Sequence, residues 1–279
     1  MIIYKTSTSG NDFIIVSRSD LEGSVENIPE FAKKICNAKT GEAADGIVIF
    51  SSDNDIIDFS IFNSDGSKAE ISGNGMAGLS SVLFSLNNSL KDLYLRTKAG
   101  VRYIQYKGYD KDKFLLEVDM GLPDFNKEKF FPFLIPGKKD YEYRGTHFFP
   151  VSTGNPHAVV LLQNNDTNIS KLKTTGMELE SAPIFPEKTN VEFVFPIDSV
   201  NNNDTPVIKT FFYERGAGVT SFSSTGSTAV FAVLHDLGII GNSIKIETSS
   251  EPVLIYLKDR IFIESRTKIV YKREYNGKT

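Results

Sequence analysis

A single cysteine, Cys36, is all the thiol the chain carries. An intrachain disulfide is therefore excluded, and the composition fits a reducing compartment. Histidine is scarce too. His147, His157 and His235 stand apart without ligand spacing, so no metal is expected. No apolar run approaches the ~18 residues that a membrane-spanning helix needs. Clusters of basic residues are missing, and a net charge of −4 with a pI near 5.5 gives no electrostatic case for nucleic acid or an anionic membrane. The opening Met1-Ile2-Ile3-Tyr4-Lys5 reads as a strand rather than the basic start of a secretory signal. The glycine-rich runs lack the lysine of a P-loop, and no Gly-x-Ser-x-Gly elbow supports Ser-His-Asp hydrolysis. The expectation is a cytoplasmic protein with neither nucleic-acid nor membrane partners.

What is present is a duplication. Ser72-Gly73-Asn74-Gly75 and Ser223-Ser224-Thr225-Gly226 are small-residue turns, and each opens an apolar helical run. At an offset of 223 − 72 = 151, Gly75 meets Gly226, Val82 meets Val233, and Ile61-Phe62 meets Phe212-Tyr213. A second pair, Gly10-Asn11 and Gly154-Asn155, follows an offset of 154 − 10 = 144. Two paired landmarks in the same order argue for a duplicated unit, with a period too long for a solenoid. The 279 residues and 40% hydrophobic content allow a core in each half.

Strand patterns outnumber helical ones. Residues 1–16 read as two strands about a turn, and 46–50, 58–63, 93–97, 101–106 and 114–118 read as further strands. Residues 26–38 have helical spacing, with Phe31, Ala32, Ile35 and Cys36 on one face. After Gly121-Leu122-Pro123 a stretch rich in Lys, Pro and Phe is expected to be loop. Strands then fall at 148–151, 157–162, 191–195 and 208–213. Residues 163–170 read as turn, a short helix surrounds Met177, and residues 201–204 form an Asn-rich loop. Four separate closing strands are expected near 244–247, 253–257, 261–264 and 269–271. Without βαβ alternation, the predicted class is α+β: two pseudo-symmetric domains, each a curved mixed or antiparallel sheet wrapped around one central helix. The domain limits drawn from this pattern are 1–117 plus 265–279, and 118–264.

A helix start leaves its first N–H groups without intrahelical partners and adds a partial positive charge. Small residues let an anion approach those groups. Taken singly, Ser72 and Ser223 are ordinary N-caps. Duplicated at equivalent places, the two helix starts suit a shared cleft for a small carboxylate or phosphate ligand. Asn63 and Glu214 are equivalent at the 151 offset, as are Ser64 and Arg215, while Asn11 and Asn155 are equivalent at the 144 offset. Amides with one arginine would recognise the ammonium and carboxylate groups of an amino acid.

Taken in order, the motifs resemble those of the diaminopimelate epimerases. They are Ser9-Gly10-Asn11-Asp12-Phe13, Ala44-Asp45-Gly46, Phe62-Asn63-Ser64-Asp65-Gly66-Ser67 and Gly73-Asn74-Gly75. They continue with Gly154-Asn155-Pro156-His157, Thr189-Asn190-Val191-Glu192-Phe193, Tyr213-Glu214-Arg215-Gly216-Ala217-Gly218 and Thr225-Gly226. The resemblance implies two pseudo-symmetric domains with the active site between them. It also implies interconversion of LL- and meso-diaminopimelate without pyridoxal phosphate or metal, in the supply of lysine and peptidoglycan, and it suggests a homodimer. By the same resemblance, Asn63, Asn155, Asn190 and Arg215 would hold the distal end of the substrate. Asn11 and Glu214 would hold the reacting amino group. The N–H groups of Gly73, Asn74, Ser224 and Thr225 would hold the α-carboxylate, and His157 and Glu214 would assist two catalytic cysteines.

Both cysteine positions are serine here, Ser72 and Ser223. A helix start can bring a thiol into the working range, but a hydroxyl is far too weak an acid. Severe impairment is therefore expected. Smaller departures are Ser224 in place of glycine, Val219 in place of glutamate and Ala77 in place of arginine. Three readings stay open: an epimerase whose cysteines were replaced by serine, another amino-acid racemase or isomerase with different acid–base groups, and an amino-acid-binding pseudoenzyme.

Overall fold

The computed structural model describes residues 1–52, 55–163, 168–197, 205–249 and 251–276. The chain divides into two compact units, Met1–Asp119 with Glu264–Thr279, and Met120–Ile263.

The first unit begins with β1 (Ile2–Thr8) and β2 (Asn11–Ser17), then α1 (Arg18–Leu21) and α2 (Ile28–Cys36). It continues with β3 (Gly46–Ser52), β4 (Ile56–Asn63), β5 (Lys68–Ala69), α3 (Gly73–Leu86), β6 (Asp92–Thr97), β7 (Gly100–Asp110) and β8 (Lys113–Gly121). Ser9 and Gly10 make the tight turn between β1 and β2, both at positive φ (50° and 89°), the conformation a two-residue hairpin requires. Asn27 caps α2, accepting the Glu30 N–H at 3.1 Å, and Pro29 sits in its first turn, where a missing N–H costs nothing.

The strands run in the order β1-β2-β3-β4-β6-β7-β8, and the next neighbour of β8 is the long final strand, which also pairs with β1. The sheet thus curls back on itself. Helix α3 packs on β1, β2, β3 and β7 and is buried around most of its circumference. Close approach to the sheet needs small residues. A Cβ on Gly78 would lie 2.5 Å from Thr6 Oγ1, and one on Gly75 would lie 3.1 Å from Val48 Cγ2. Leu79 and Val82 are fully enclosed, and such side chains each contribute roughly 1.5–3 kcal/mol through lost water contact.

The second unit contains β9 (Tyr141–Tyr143), β10 (Thr146–Ser152), β11 (Pro156–Leu161), α4 (Ile169–Glu180) and β12 (Asn190–Val194). After these come β13 (Val207–Ile208), β14 (Thr210–Glu214), β15 (Gly218–Thr220), α5 (Ser224–Asp236), β16 (Ser243–Ile246), β17 (Val253–Leu257) and the first residues of β18 (Ile261–Glu274), whose remainder from Glu264 belongs to the first unit. One six-stranded sheet runs β15-β14-β12-β11-β10-β9, and a second run of strands goes β18-β17-β16-β13. Helix α5 packs on β10, β11 and β12 of the first and on β16 and β17 of the second. Each unit therefore surrounds one buried helix with strands, as the sequence pattern predicts, with one curved sheet about α3 and two strand runs about α5.

Three local expectations are corrected. The two last closing strands are one, β18, continuous from Ile261 to Glu274. Its inward positions Ser265 and Thr267 are polar, which interrupts the apolar alternation. Thr267 is nevertheless buried, with its hydroxyl 2.9 Å from that of Thr8. The helix near Met177 is longer than expected and takes in residues 169–170, because Asn168 caps it by accepting the Lys171 N–H at 3.1 Å. The stretch after Gly121 does run as turns, but Phe130 and Phe131 are core residues there. Phe131 packs edge-on against Phe185, with ring centroids 6.2 Å apart. The Asn-rich loop 201–204 lies outside the described residues.

Candidate active site

The two helix starts repeat one geometry. Ser72 precedes α3 in extended conformation (φ −149°, ψ 119°), and its Oγ accepts the Gly75 N–H at 3.1 Å. Ser223 precedes α5 in the same conformation (φ −131°, ψ 121°), and its Oγ accepts the Gly226 N–H at 3.2 Å. In both places the hydroxyl satisfies a first-turn donor, while the N–H groups of the next two residues, Gly73 and Asn74 or Ser224 and Thr225, precede the capped one.

In the first unit, the β1–β2 turn and the start of α3 bring Asn11 and Asn74 together. The Asn74 amide donates to Asn11 Oδ1 at 2.5 Å, and the Asn11 side chain also bonds to Asp45. Asp45 holds this corner. Its Oδ2 accepts the Asp12 N–H at 2.7 Å, and its carbonyl accepts the Ser64 N–H at 3.0 Å. Burial pushes the Asp45 carboxyl up, and the bonds from Asp12 and Asn11 oppose that. Asn63 ends β4, half-buried, and its amide donates to Ser67 Oγ at 3.0 Å. Cys36 lies inside α2, its thiol pushed up to about 12 by burial, so it is an inert packing residue.

In the second unit, Ser223 Oγ donates to Glu214 Oε2 at 3.0 Å, and Thr220 Oγ1 donates to Glu214 Oε1 at 2.6 Å. Desolvation of its carboxyl pushes Glu214 up, although the residue as a whole is half-buried. Those two hydroxyl bonds pull it down, the charge of Glu192 adds to the upward push, and His157 offsets it.

His157 is 0% exposed, with Nδ1 2.8 Å from Glu192 Oε1 and Nε2 2.9 Å from Asn155 Oδ1. Both ring nitrogens are thus engaged inside this unit. Asn190 spends its amide on backbone: Nδ2 donates to the Pro156 carbonyl at 2.8 Å, and Oδ1 accepts the Arg215 N–H at 2.9 Å. The Arg215 guanidinium donates to the Glu187 carbonyl at 2.9 Å. Asn190 and Arg215 therefore pin the β14–β15 turn to the start of β11.

Three residues with no role assigned from sequence belong to these networks: Asp45, Glu180, which accepts the Gly216 N–H at 3.0 Å, and Glu192. The signal for Glu192 was a carboxylate inside Asn190–Val194, a strand whose five residues are all buried. A charged residue in such a strand requires a partner. Among the described residues, no group of three or more His, Cys, Asp or Glu side chains could hold a metal ion. No described helix is long and apolar enough to cross a membrane.

The sequence profile of the diaminopimelate epimerase family matches residues 3–126 and 149–267. A diaminopimelate epimerase of Methanocaldococcus jannaschii is 32% identical over 276 residues, covering 91% of each chain. One from Acetivibrio thermocellus is 36% identical over 233 residues, covering 79% of this chain and 78% of its own.

The chain belongs to the diaminopimelate epimerase family.

It is thereby placed among the amino-acid epimerases and racemases, which are isomerases. Solved structures extend the likeness of fold beyond that family. A probable proline racemase from Agrobacterium radiobacter superposes with a TM-score of 0.67 at 15% identity, covering 98% of this chain and 92% of its own. A hydroxyproline epimerase from Agrobacterium vitis, solved with trans-4-hydroxy-L-proline, gives 0.65 at 17% identity, covering 99% and 91%. Within the diaminopimelate epimerase family, this member carries hydroxyls, Ser72 and Ser223, as the caps of α3 and α5.

Proposed function

We propose that this chain binds diaminopimelate and that, with serine at both acid–base positions, it is severely impaired in interconverting the LL and meso forms. The observation that carries this reading is the state of Ser72 and Ser223. Each hydroxyl is committed as an acceptor to the third N–H of its helix, and Ser223 in addition donates to Glu214. Removing a proton from the α-carbon requires a group whose pKa lies near the working pH. An alcohol at a helix start remains far above it, whereas a thiol in the same place would be brought down.

The binding groups suit an amino acid. The first-turn N–H groups of α3 and α5, at Gly73, Asn74, Ser224 and Thr225, are donors for carboxylate oxygens. The N–H bonds at the helix start also stabilise the charge that a deprotonated α-carbon spreads onto its carboxylate. Asn11 offers its amide oxygen and Glu214 its carboxyl to an ammonium group. Asn63, Asn155, Asn190 and Arg215 are assigned to the distal end. No cofactor is part of the proposal. A homodimer, a cytoplasmic location and a place in the supply of meso-diaminopimelate for lysine and peptidoglycan belong to the same reading.

The test is calorimetric titration with LL-diaminopimelate, followed by chiral chromatography of the mixture. Saturable binding without formation of the meso form is expected. Rapid accumulation of the meso form would overturn the impairment, and absence of binding would overturn the ligand and favour an isomerase acting on another amino acid.

A further inference from the structure

Three bonds fix the turn that follows Glu214. Asn190 Oδ1 accepts the Arg215 N–H at 2.9 Å, Glu180 Oε1 accepts the Gly216 N–H at 3.0 Å, and the Ala217 N–H returns to the Glu214 carbonyl at 3.1 Å. These place the Glu214 backbone and leave its carboxyl free to rotate. The last torsion of a glutamate is broad and roughly two-fold, so the plane of the carboxyl is set by whatever binds its oxygens.

Thr220 supplies the shorter of the two bonds that do so. It lies on β15 two residues beyond Gly218, the ladder partner of Glu214 on β14, so the two side chains are diagonal neighbours on one face of the hairpin. The Thr220 hydroxyl donates to Glu214 Oε1 at 2.6 Å, and the Ser223 hydroxyl donates to Oε2 at 3.0 Å. Ser223 Oγ also accepts the Gly226 N–H at 3.2 Å, whereas Thr220 Oγ1 bonds to Glu214 alone among the described residues. Threonine is branched at Cβ and its χ1 is restricted, which makes its hydroxyl a stiff donor. An ionised carboxyl offers about four acceptor positions. One hydroxyl on each oxygen leaves about half of them open, and Glu214 is half-buried rather than enclosed.

We infer that Thr220 is a positioning residue which fixes the plane of the Glu214 carboxyl against Ser223, keeps the remaining acceptor positions of that carboxyl open for an ammonium group, and so sets the affinity for the reacting amino group of the ligand. This rests on the reading of Glu214 as the contact to that amino group. A threonine that merely joined β15 to β14 would contribute to stability and not to the contact.

The test uses the full chain and has two readouts. The first is titration of the Glu214 carboxyl by carbon NMR, with its signal assigned by its loss in Glu214→Gln. Thr220→Val keeps the shape of the side chain and a strand-forming residue, but removes a donor from the charged form, so the titration should move to higher pH. Thr220→Ser keeps the donor and should leave the titration near its original place. Glu192 and His157, whose charges also bear on Glu214, are the same in all three chains. The second readout is calorimetric titration with LL-diaminopimelate over the same pH range. Thr220→Val should bind about tenfold more weakly or worse at neutral pH, the size of one hydrogen bond to a charged group, and Thr220→Ser should restore most of the affinity.

An unmoved Glu214 titration in Thr220→Val overturns the inference. So does a moved titration with unchanged affinity for diaminopimelate. A Thr220→Ser chain that binds as weakly as Thr220→Val overturns it too, because the hydroxyl is then not the operative group. Thr220→Ala is the second variant should valine disturb the strand. The carboxyl titration needs no ligand, so it separates two failures. If Glu214 moves as expected but the unaltered chain binds no diaminopimelate at any pH, the ligand assignment itself has failed and takes this inference with it.

Discussion

The Ser223 hydroxyl donates to Glu214 Oε2 at 3.0 Å while accepting the Gly226 N–H at 3.2 Å. One side chain therefore closes the helix and satisfies a desolvated carboxyl. Glu214 is held above the usual carboxylate range, mainly by desolvation. A raised acid is protonated in the folded state over a pH interval where the unfolded chain has already lost the proton. Stability is therefore unaffected below the ordinary value of 4.5, falls as pH rises through the interval, and stays reduced above it. Glu214→Gln removes that penalty. Its melting temperature should match that of the unaltered chain in acid and exceed it toward neutral pH, by about 2–4 °C for each ~1 kcal/mol relieved. Parallel melting curves across the whole pH range would contradict this.

Loss of either cap should cost stability. Ser72→Ala and Ser223→Ala each strand a first-turn N–H, and urea unfolding should show a loss of about 1 kcal/mol for each. Ser223→Ala should cost more than Ser72→Ala, because it also removes a donor from Glu214.

The approach of α3 to β1 sets a third expectation. Gly78→Ala places a methyl 2.5 Å from Thr6 Oγ1 and should destabilise the fold by about 1–3 kcal/mol. Thr6→Ala removes the obstructing group, so the double variant should recover part of that loss. Additive effects in the double-mutant cycle would show that the clash is relieved elsewhere.

Thiol chemistry separates structural from functional positions. Cys36 is buried and pushed up to about 12, so iodoacetamide should leave the folded chain unmodified. In Ser72→Cys or Ser223→Cys, the new thiol at the helix start should be alkylated while Cys36 remains intact, as read by peptide mass spectrometry. Modification of Cys36 in the folded chain would contradict its packing role.

Much of this was legible because turns and caps are local. Ser72 and Ser223 announce their helices through a small residue three places before a glycine. Ser9-Gly10 announces its hairpin because glycine readily takes the positive φ that a tight turn requires. The burial of α3 and α5 follows from apolar and small residues around most of each helix. Other features depend on partners distant in sequence. β18 reads as two strands until Thr8, 259 residues away, is found beside Thr267. Asn168 is only one of several polar residues until the helix it caps is present. Glu192 is a carboxylate inside an apolar strand whose partner stays unknown until β11 places His157 against it. Asn190 also holds the Pro156 carbonyl and the Arg215 N–H with its amide, a structural role that no local pattern announces.

The central claim is that the hydroxyls of Ser72 and Ser223 cannot serve as the acid–base pair. The measurement that addresses it most directly is exchange of the α-protons of diaminopimelate in deuterated water, followed by proton NMR. The unaltered chain would be compared with the Ser72→Cys/Ser223→Cys double variant. The account predicts that the α-proton signal persists with the serine chain and decays with the cysteine variant. Decay at a comparable rate with the serine chain would contradict it, and would mean that another base removes the proton.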